Sequence, residues 1–501
     1  MPLNRTKSYA SLLFVRHGLV PALSAILFFA SGCTAGPDFV RPGPPVVTSY
    51  NYGSDPASTI FADGRIQRFT PGDSISAAWW KAFDSQQVDA IVKDAFENNQ
   101  GLQAAQARLR QSRENLLAGH GIFYPQFDAA FGVMRQKSSL QGNGIGGPEN
   151  IFSLYTLSSS VSYALDIFGS RRRAVEGLEA GVDYQNAVLS ATYLALEGNI
   201  VNTMIAKAGY FDQIRATEQM IGFLKEQAVL AEVQELSGIV PHAKVLNIRA
   251  QLFSVEAALP SLRQRLSQAD HLLAALTGHF PAEVGPSEVS LAAFRLPESI
   301  PLVVPSELVR RRPDIFAAEA QLHAAGAELG VATAALFPRF TLSAAFDRAG
   351  SSLSGLFSGP LNSWGIGAEL AAPLFHGGTL IHQKQAAVEG YAQALAEYRQ
   401  TVVSAFAEVA DSLRAVEYDA EVLSAQTLTL EASEEALRHV TANFEAGVAD
   451  YSQVLITDIQ YQQAKIGHLQ ARARRLQDSV ALFVALGGGW QMRELQGKAG
   501  E

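Results

Sequence analysis

The chain is written twice, and this constrains its fold more than any other feature. Gln103–Leu109 (QAAQARL) returns as Phe316–Leu322 (FAAEAQL) at an offset of 213 residues, which also carries Leu116 to Leu329, Pro125 to Pro338 and Phe127 to Phe340. Gly238…Val245-Leu246…Gln251 returns as Gly447…Val454-Leu455…Gln460 at 209, and Ile167-Phe168 returns as Leu374-Phe375 at 207. The offset drifts only where loops intervene. Solenoid repeats run roughly 20–50 residues, so a period several times longer reads as a tandem duplication with two structurally equivalent halves.

Each half has the same order of elements. A helical segment (about 85–123; about 313–337) ends at Tyr124-Pro125 or Phe337-Pro338. Two alternating segments follow, expected as strands at about 126–137 and 152–168, then at about 339–348 and 361–374. In the first, Phe127, Ala129, Phe131 and Val133 alternate with Asp128, Ala130 and Gly132. In the second, Tyr155, Leu157, Val161, Tyr163, Leu165 and Ile167 alternate with Thr156, Ser158, Ser160 and Ser162. Phe340, Leu342, Ala344 and Phe346 share one side, and Trp364, Ile366, Ala368 and Leu370 are opposed by Gly365 and Gly367. Period-2 alternation of this length is strand, with one apolar face and one small or polar face. A barrel with a lipid-facing outside and a wet inside has this pattern; a half-buried soluble sheet shares it.

Long helical stretches come next. Residues 172–236 contain no proline, and residues 379–446 contain no proline and only one glycine, Gly390. At 1.5 Å per residue each is roughly 100 Å long. Shorter helices, about 242–278 and 450–486, follow a glycine-centred turn; each is roughly 55 Å, so two short helices stacked end to end match one long one. Four strands cannot close a barrel, for which at least about eight are needed. Cyclic oligomerisation is the natural way to multiply them.

The N-terminus reads as an address. Residues 1–17 carry Arg5, Lys7 and Arg16 and no acid, residues 18–30 are apolar and broken by Pro21, and Ser31-Gly32-Cys33 follows. A basic segment, a short apolar segment and small residues before a cut describe a secretory signal. Cys33 after Ser-Gly resembles a bacterial lipobox, in which the cysteine is acylated and becomes the first mature residue; Ala30 stands where Leu is more usual. Thr34 rather than Asp follows, which by analogy favours the outer membrane. Cys33 is the only cysteine, so neither an intrachain disulfide framework nor a thiolate zinc site is available. Net charge is −9, and −12 once residues 1–32 and their three cations are removed, which argues against nucleic-acid binding. No apolar run of about 18 residues follows the signal, so no mature helix is expected to span a bilayer. Residues 34–75, rich in Pro, Gly and Ser, read as an extended arm.

No catalytic constellation emerges. Gly142-Asn-Gly144-Ile-Gly-Gly147 matches GxGxxG, but Pro148-Glu149-Asn150 and a second strand follow rather than the helix a dinucleotide site needs. It reads as an external hairpin loop, with Gly350–Pro360 as its counterpart. No GxxxxGK[ST], HExxH or GxSxG occurs, and His376 and His382 do not share a helix face. Arg171–Arg173 reads as a solvated face or a charged ring, and Arg310–Arg312, before Pro313, as a helix entry.

Four stretches together resemble the TolC-like outer-membrane efflux proteins, in the lipoprotein branch that serves RND pumps. They are Cys33-Thr-Ala-Gly-Pro-Asp-Phe; Trp79-Trp80-Lys81-Ala82-Phe83-Asp84 with Val88-Asp89-Ala90-Ile91; Leu308-Val309-Arg310-Arg311-Arg312-Pro313-Asp314-Ile315; and the Gly238 and Gly447 turns. The resemblance covers about 33–490. It implies a mixed α+β membrane protein: a homotrimer whose strands form a 12-stranded outer-membrane β-barrel, continued by a periplasmic α-helical barrel. The chain would be a passive exit duct for drugs or other small molecules, docked on a periplasmic membrane-fusion adaptor and an inner-membrane RND pump. No enzyme activity, cofactor or metal is expected, apart from a covalent lipid on Cys33. The expected layout is a signal at 1–32, a lipid-anchored arm at 33–78, repeats at 79–278 and 306–490, an equatorial linker at 279–305 and a tail at 491–501.

By the same resemblance, Gly238-Ile239 and Gly447-Val448 would be helix tips that meet the adaptor. Relatives often place Asp around the Val-Leu of each tip helix; here those places hold Lys244 and Gln453, with Asp458 as the acid candidate for the periplasmic gate. In a trimer each gate residue becomes a ring of three, and a Lys244 ring would weaken divalent-cation block. A type I protein-secretion duct and a non-pore envelope scaffold are the alternatives.

Overall fold

A computed structural model describes residues 34–138, 150–285, 287–358 and 361–489. The signal, Cys33, the Gly142–Gly147 motif and the tail at 491–501 lie outside these residues. In the first half β1 (Arg68–Pro71) precedes α1 (Gln86–Asn98), α2 (Gln100–His120), β2 (Gln126–Ser138), β3 (Asn150–Leu165), α3 (Ser170–Leu236) and α4 (His242–Leu276). Then come β4 (Ser299–Leu302), α5 (Pro313–Ala334), β5 (Arg339–Gly350), β6 (Asn362–Ala371), α6 (Thr379–Glu445) and α7 (Tyr451–Ala485). The two long helices have 67 residues each and the two that follow them 35 each, so the duplication survives at the level of helix length. No helix among the described residues is long and apolar enough to cross a membrane.

Several boundaries differ from the sequence reading. The single helix expected at 85–123 is two, because Asn99 is extended (φ −66°, ψ 118°) between α1 and α2. Its Oδ1 accepts the Leu102 N–H at 2.8 Å and its Nδ2 donates to the Leu276 carbonyl at 2.9 Å, so Asn99 caps α2. Strand β3 stops at Leu165 and β6 at Ala371, short of Ile167-Phe168 and Leu374-Phe375. Asp166 supplies the reason at β3: its carboxylate accepts the N–H groups of Arg171 and Arg172, both at 2.9 Å, and starts α3. A short helix, Leu353–Ser358, stands in the second hairpin loop.

The chain divides into two compact units. The first contains 110–184 and 319–397, with the arm up to Arg41, and is built around one antiparallel sheet of order β2-β3-β5-β6. The arm is tied down within it. Arg173, expected on a solvated face or in a charged ring, is instead buried, and it holds Asp38 at 2.6 Å, Glu176 at 2.7 Å and the carbonyls of Ala35 and Gly36.

The second unit contains 42–109, 185–318 and residues from Tyr398 onward. The segments read as irregular, 33–78 and 279–305, meet here: β1 pairs in parallel with β4, from Arg68↔Ser299 to Pro71↔Leu302. The core gathers Trp79, Trp80, Phe83, Phe294, Ile300, Leu308 and Phe483. Trp79 stacks on Phe483 with ring centroids 5.5 Å apart and donates its indole N–H to Glu197 at 2.8 Å. The tryptophan is polar-satisfied as well as packed.

Candidate functional site

The sheet sorts its side chains by register. Phe127 faces Val161, Val161 faces Ala344 and Ala344 faces Ile366. The neighbouring rows run Ala129-Ser159-Phe346-Trp364 and Phe131-Leu157-Arg348-Asn362. Because the side-chain period is two, all of these lie on one face. That face is mostly apolar, and at the β6 edge Trp364 and Ile366 are 75 % and 80 % exposed. The opposite face carries Asp128-Ser160-Ala345-Gly365 and Ser158-Asp347-Ser363. Among the described residues each edge strand, β2 and β6, has one partner, so both sheet edges present unpaired backbone. Monomeric soluble proteins rarely expose a contiguous apolar face of this kind.

The two long helices stop in the same way at their tips. At the end of α3 the Gly238 N–H donates to Glu235 O and the Ile239 N–H to Gln234 O, both at 2.8 Å. At the end of α6 the Gly447 N–H donates to Phe444 O at 2.9 Å and the Val448 N–H to Asn443 O at 2.8 Å. This pair of bonds, with φ at +72° and +74°, is a left-handed helix stop that glycine adopts without strain. The residue after each glycine is pushed outward: Ile239 is 71 % exposed and Val448 79 %. Each tip therefore offers an exposed apolar side chain on the turn, and at the first tip Leu236, 89 % exposed, adds a second, a form suited to a groove on a partner.

The gate candidates lie just beyond. Lys244 is half-exposed on α4, Gln453 is exposed and Asp458 is half-buried on α7. Burial, and then the charge of Glu226, push the Asp458 carboxyl above its ordinary range. Three residues here escaped the sequence reading. Asp450 accepts the Ser452 hydroxyl at 2.7 Å and the Gln453 N–H at 3.0 Å, capping α7, whereas its counterpart before α4 is Pro241. These hydrogen bonds hold Asp450 below the usual carboxylate range, and Lys244 adds to the effect. An Asp two residues before Ser452 is a cap signal legible in sequence. The others, Tyr451 and Glu226, are joined by a hydrogen bond at 2.8 Å that no local pattern announces.

Arg312 does more than enter a helix. It is buried, and it bonds Asp314 and Glu408 at 2.6 Å each and the Ala485 carbonyl at 2.9 Å. It thereby joins the start of α5 to α6 and to the end of α7.

The family model described as outer membrane efflux protein matches residues 91–279 and 304–488, one block in each half. A pyoverdine export outer membrane protein, OpmQ of Pseudomonas aeruginosa, is 31% identical over 421 residues, covering 82% of this chain and 87% of that protein. A probable outer membrane lipoprotein, SilC of Salmonella typhimurium, is 24% identical over 93% of this chain and 97% of its own length. The solved outer-membrane channel OprN superposes with a TM-score of 0.79 at 26% identity, covering 92% of this chain and all of that one.

Proposed function

Because the chain belongs to the outer membrane efflux protein family, we propose that three copies close their four-stranded sheets into one twelve-stranded barrel and form the outer-membrane exit duct of a tripartite efflux system. The observation that carries this reading is the register: it gathers an exposed apolar face on one side, a Gly/Ser/Asp face on the other, and leaves β2 and β6 free to pair. The apolar face meets lipid, and the other lines the water-filled interior. The long helices continue the duct into the periplasm. A periplasmic adaptor engages Ile239 and Val448 at the tips, and an inner-membrane RND pump drives cargo through. Cys33 carries the covalent lipid that anchors the arm. The chain itself does no chemistry; it opens when the tip helices move apart.

Cysteine pairs between β2 and β6 test the closure. Gly132→Cys combined with Gly365→Cys or Gly367→Cys, joined by a short bismaleimide, should give covalent dimers and trimers on a denaturing gel. Only monomers from every pair would sink the barrel. Planar-bilayer recording then tests the duct: stepwise conductance is expected, and none at all, even with the tips loosened by substitution, would count against a pore.

A further inference from the structure

The turn at Ala62–Arg65, the segment 292–296 and the facing sides of α6 and α7 enclose a cavity of about 270 Å³. Four arginines line it, Arg65, Arg295, Arg472 and the fully buried Arg475, with Asp63 as the carboxylate among the lining residues. Arg472 and Arg475 are three residues apart on α7 and so share its face. Phe294, Leu423 and Leu476, all buried, and the half-buried Leu296 complete the lining.

Arg475 is the unusual member. It is fully buried, yet its hydrogen bonds go to neutral acceptors: Gln67 Oε1 at 3.1 Å, Thr59 Oγ1 at 3.0 Å and the Ala62 carbonyl at 3.4 Å. Asp63 and Asp419 act on it only across space. Burial pushes its guanidinium down to about 10, so it stays charged at neutral pH. A buried charge without an ionic partner is costly, and an incoming anion would lower that cost. The other three are held loosely. Arg472 Nε is 3.6 Å from Asp63, which also faces His468 at 3.5 Å. Arg65 pairs with the exposed Glu298 at 3.1 Å, and Arg295 with the exposed Asp84 at 3.4 Å. Solvent-exposed pairs of this kind contribute about 0–1 kcal/mol, so these guanidiniums can turn toward a ligand.

We propose that this cavity binds an oxyanion, a phosphate or carboxylate group on a small molecule. Guanidinium forks match the paired oxygens of either group. Arg475 supplies the fixed charge at the base, and Arg472 and Arg295 close on the oxyanion from the rim.

The test uses the full-length channel in detergent, melted in inorganic phosphate, acetate or chloride at equal ionic strength. Millimolar phosphate or acetate should raise the midpoint by about 2–4 °C over chloride. Arg472→Gln and Arg295→Gln should each remove at least half of that gain while leaving the chloride midpoint in place. A gain with phosphate alone identifies a phosphate site, and a gain with acetate as well admits carboxylates. No gain over chloride, or a gain that survives both substitutions, overturns the proposal.

Discussion

Tyr451 on α7 donates its phenolic hydrogen at 2.8 Å to Glu226 Oε2 on α3, tying the helix after the second tip to the helix before the first. Both side chains are exposed, so the bond contributes about 0.5–1 kcal/mol. Tyr451→Phe should therefore raise the open probability of the reconstituted channel by roughly 2–5-fold in each protomer, with Glu226→Gln acting in the same direction. Unchanged gating in both variants would show that the tie does not restrain opening.

Gly447→Ala should loosen the second tip without affecting the rest of the chain. A Cβ there meets nothing within 4 Å, so the cost is the positive φ alone, about 1 kcal/mol. Hydrogen exchange at 446–450 should accelerate several-fold, while Gly447→Asn, which tolerates this conformation, should remain close to wild type. Equal acceleration in both would point to a different cause.

Lys244→Asp replaces a cation with an acid beside Asp450, whose carboxyl responds to the Lys244 charge. Single-channel recording with divalent cations on the periplasmic side should show weak block in wild type and markedly stronger block in the variant. Strong block of wild type would contradict the role given to Lys244.

On the sheet, Ile366→Arg should destabilise the barrel in lipid by about 2–4 kcal/mol, whereas Gly365→Ser, one residue away on the other face, should be nearly neutral. Urea unfolding in vesicles measures both. Comparable losses at the two positions would place lipid on neither face.

Stability should fall as pH rises from about 4 to about 7. Burial, and then the neighbouring Asp419 carboxylate, push Asp478 up from 3.8 to about 7. The folded chain thus keeps a proton that the unfolded chain loses near pH 4, so stability declines across that window and levels above it. After allowance for solvent, the decline is about 1–2 kcal/mol. Asp478→Asn should flatten the melting midpoint between pH 5 and 8, and an unchanged slope would assign the decline to another group.

Much of this was legible along the chain because it depends on near neighbours. Alternation over 126–137 puts Phe127 and Phe131 on one face whatever the strands pair with. Gly238 and Gly447 mark helix stops through their own backbone freedom. The caps at Asn99 and Asp450 are local too, each a short polar side chain bonded to a backbone N–H three residues on.

By itself, then, the sequence determined the duplication, the strand faces and the helix lengths, all properties of period and composition. Only the tertiary structure decided which distant groups meet. The β1–β4 pairing joins segments about 230 residues apart, Arg475 reaches Gln67 across 408, and Arg312 finds Glu408 across 96. A hydropathy period reports the face a residue occupies, whereas a guanidinium's partner depends on how packed helices slide against one another, and no local spacing encodes that offset.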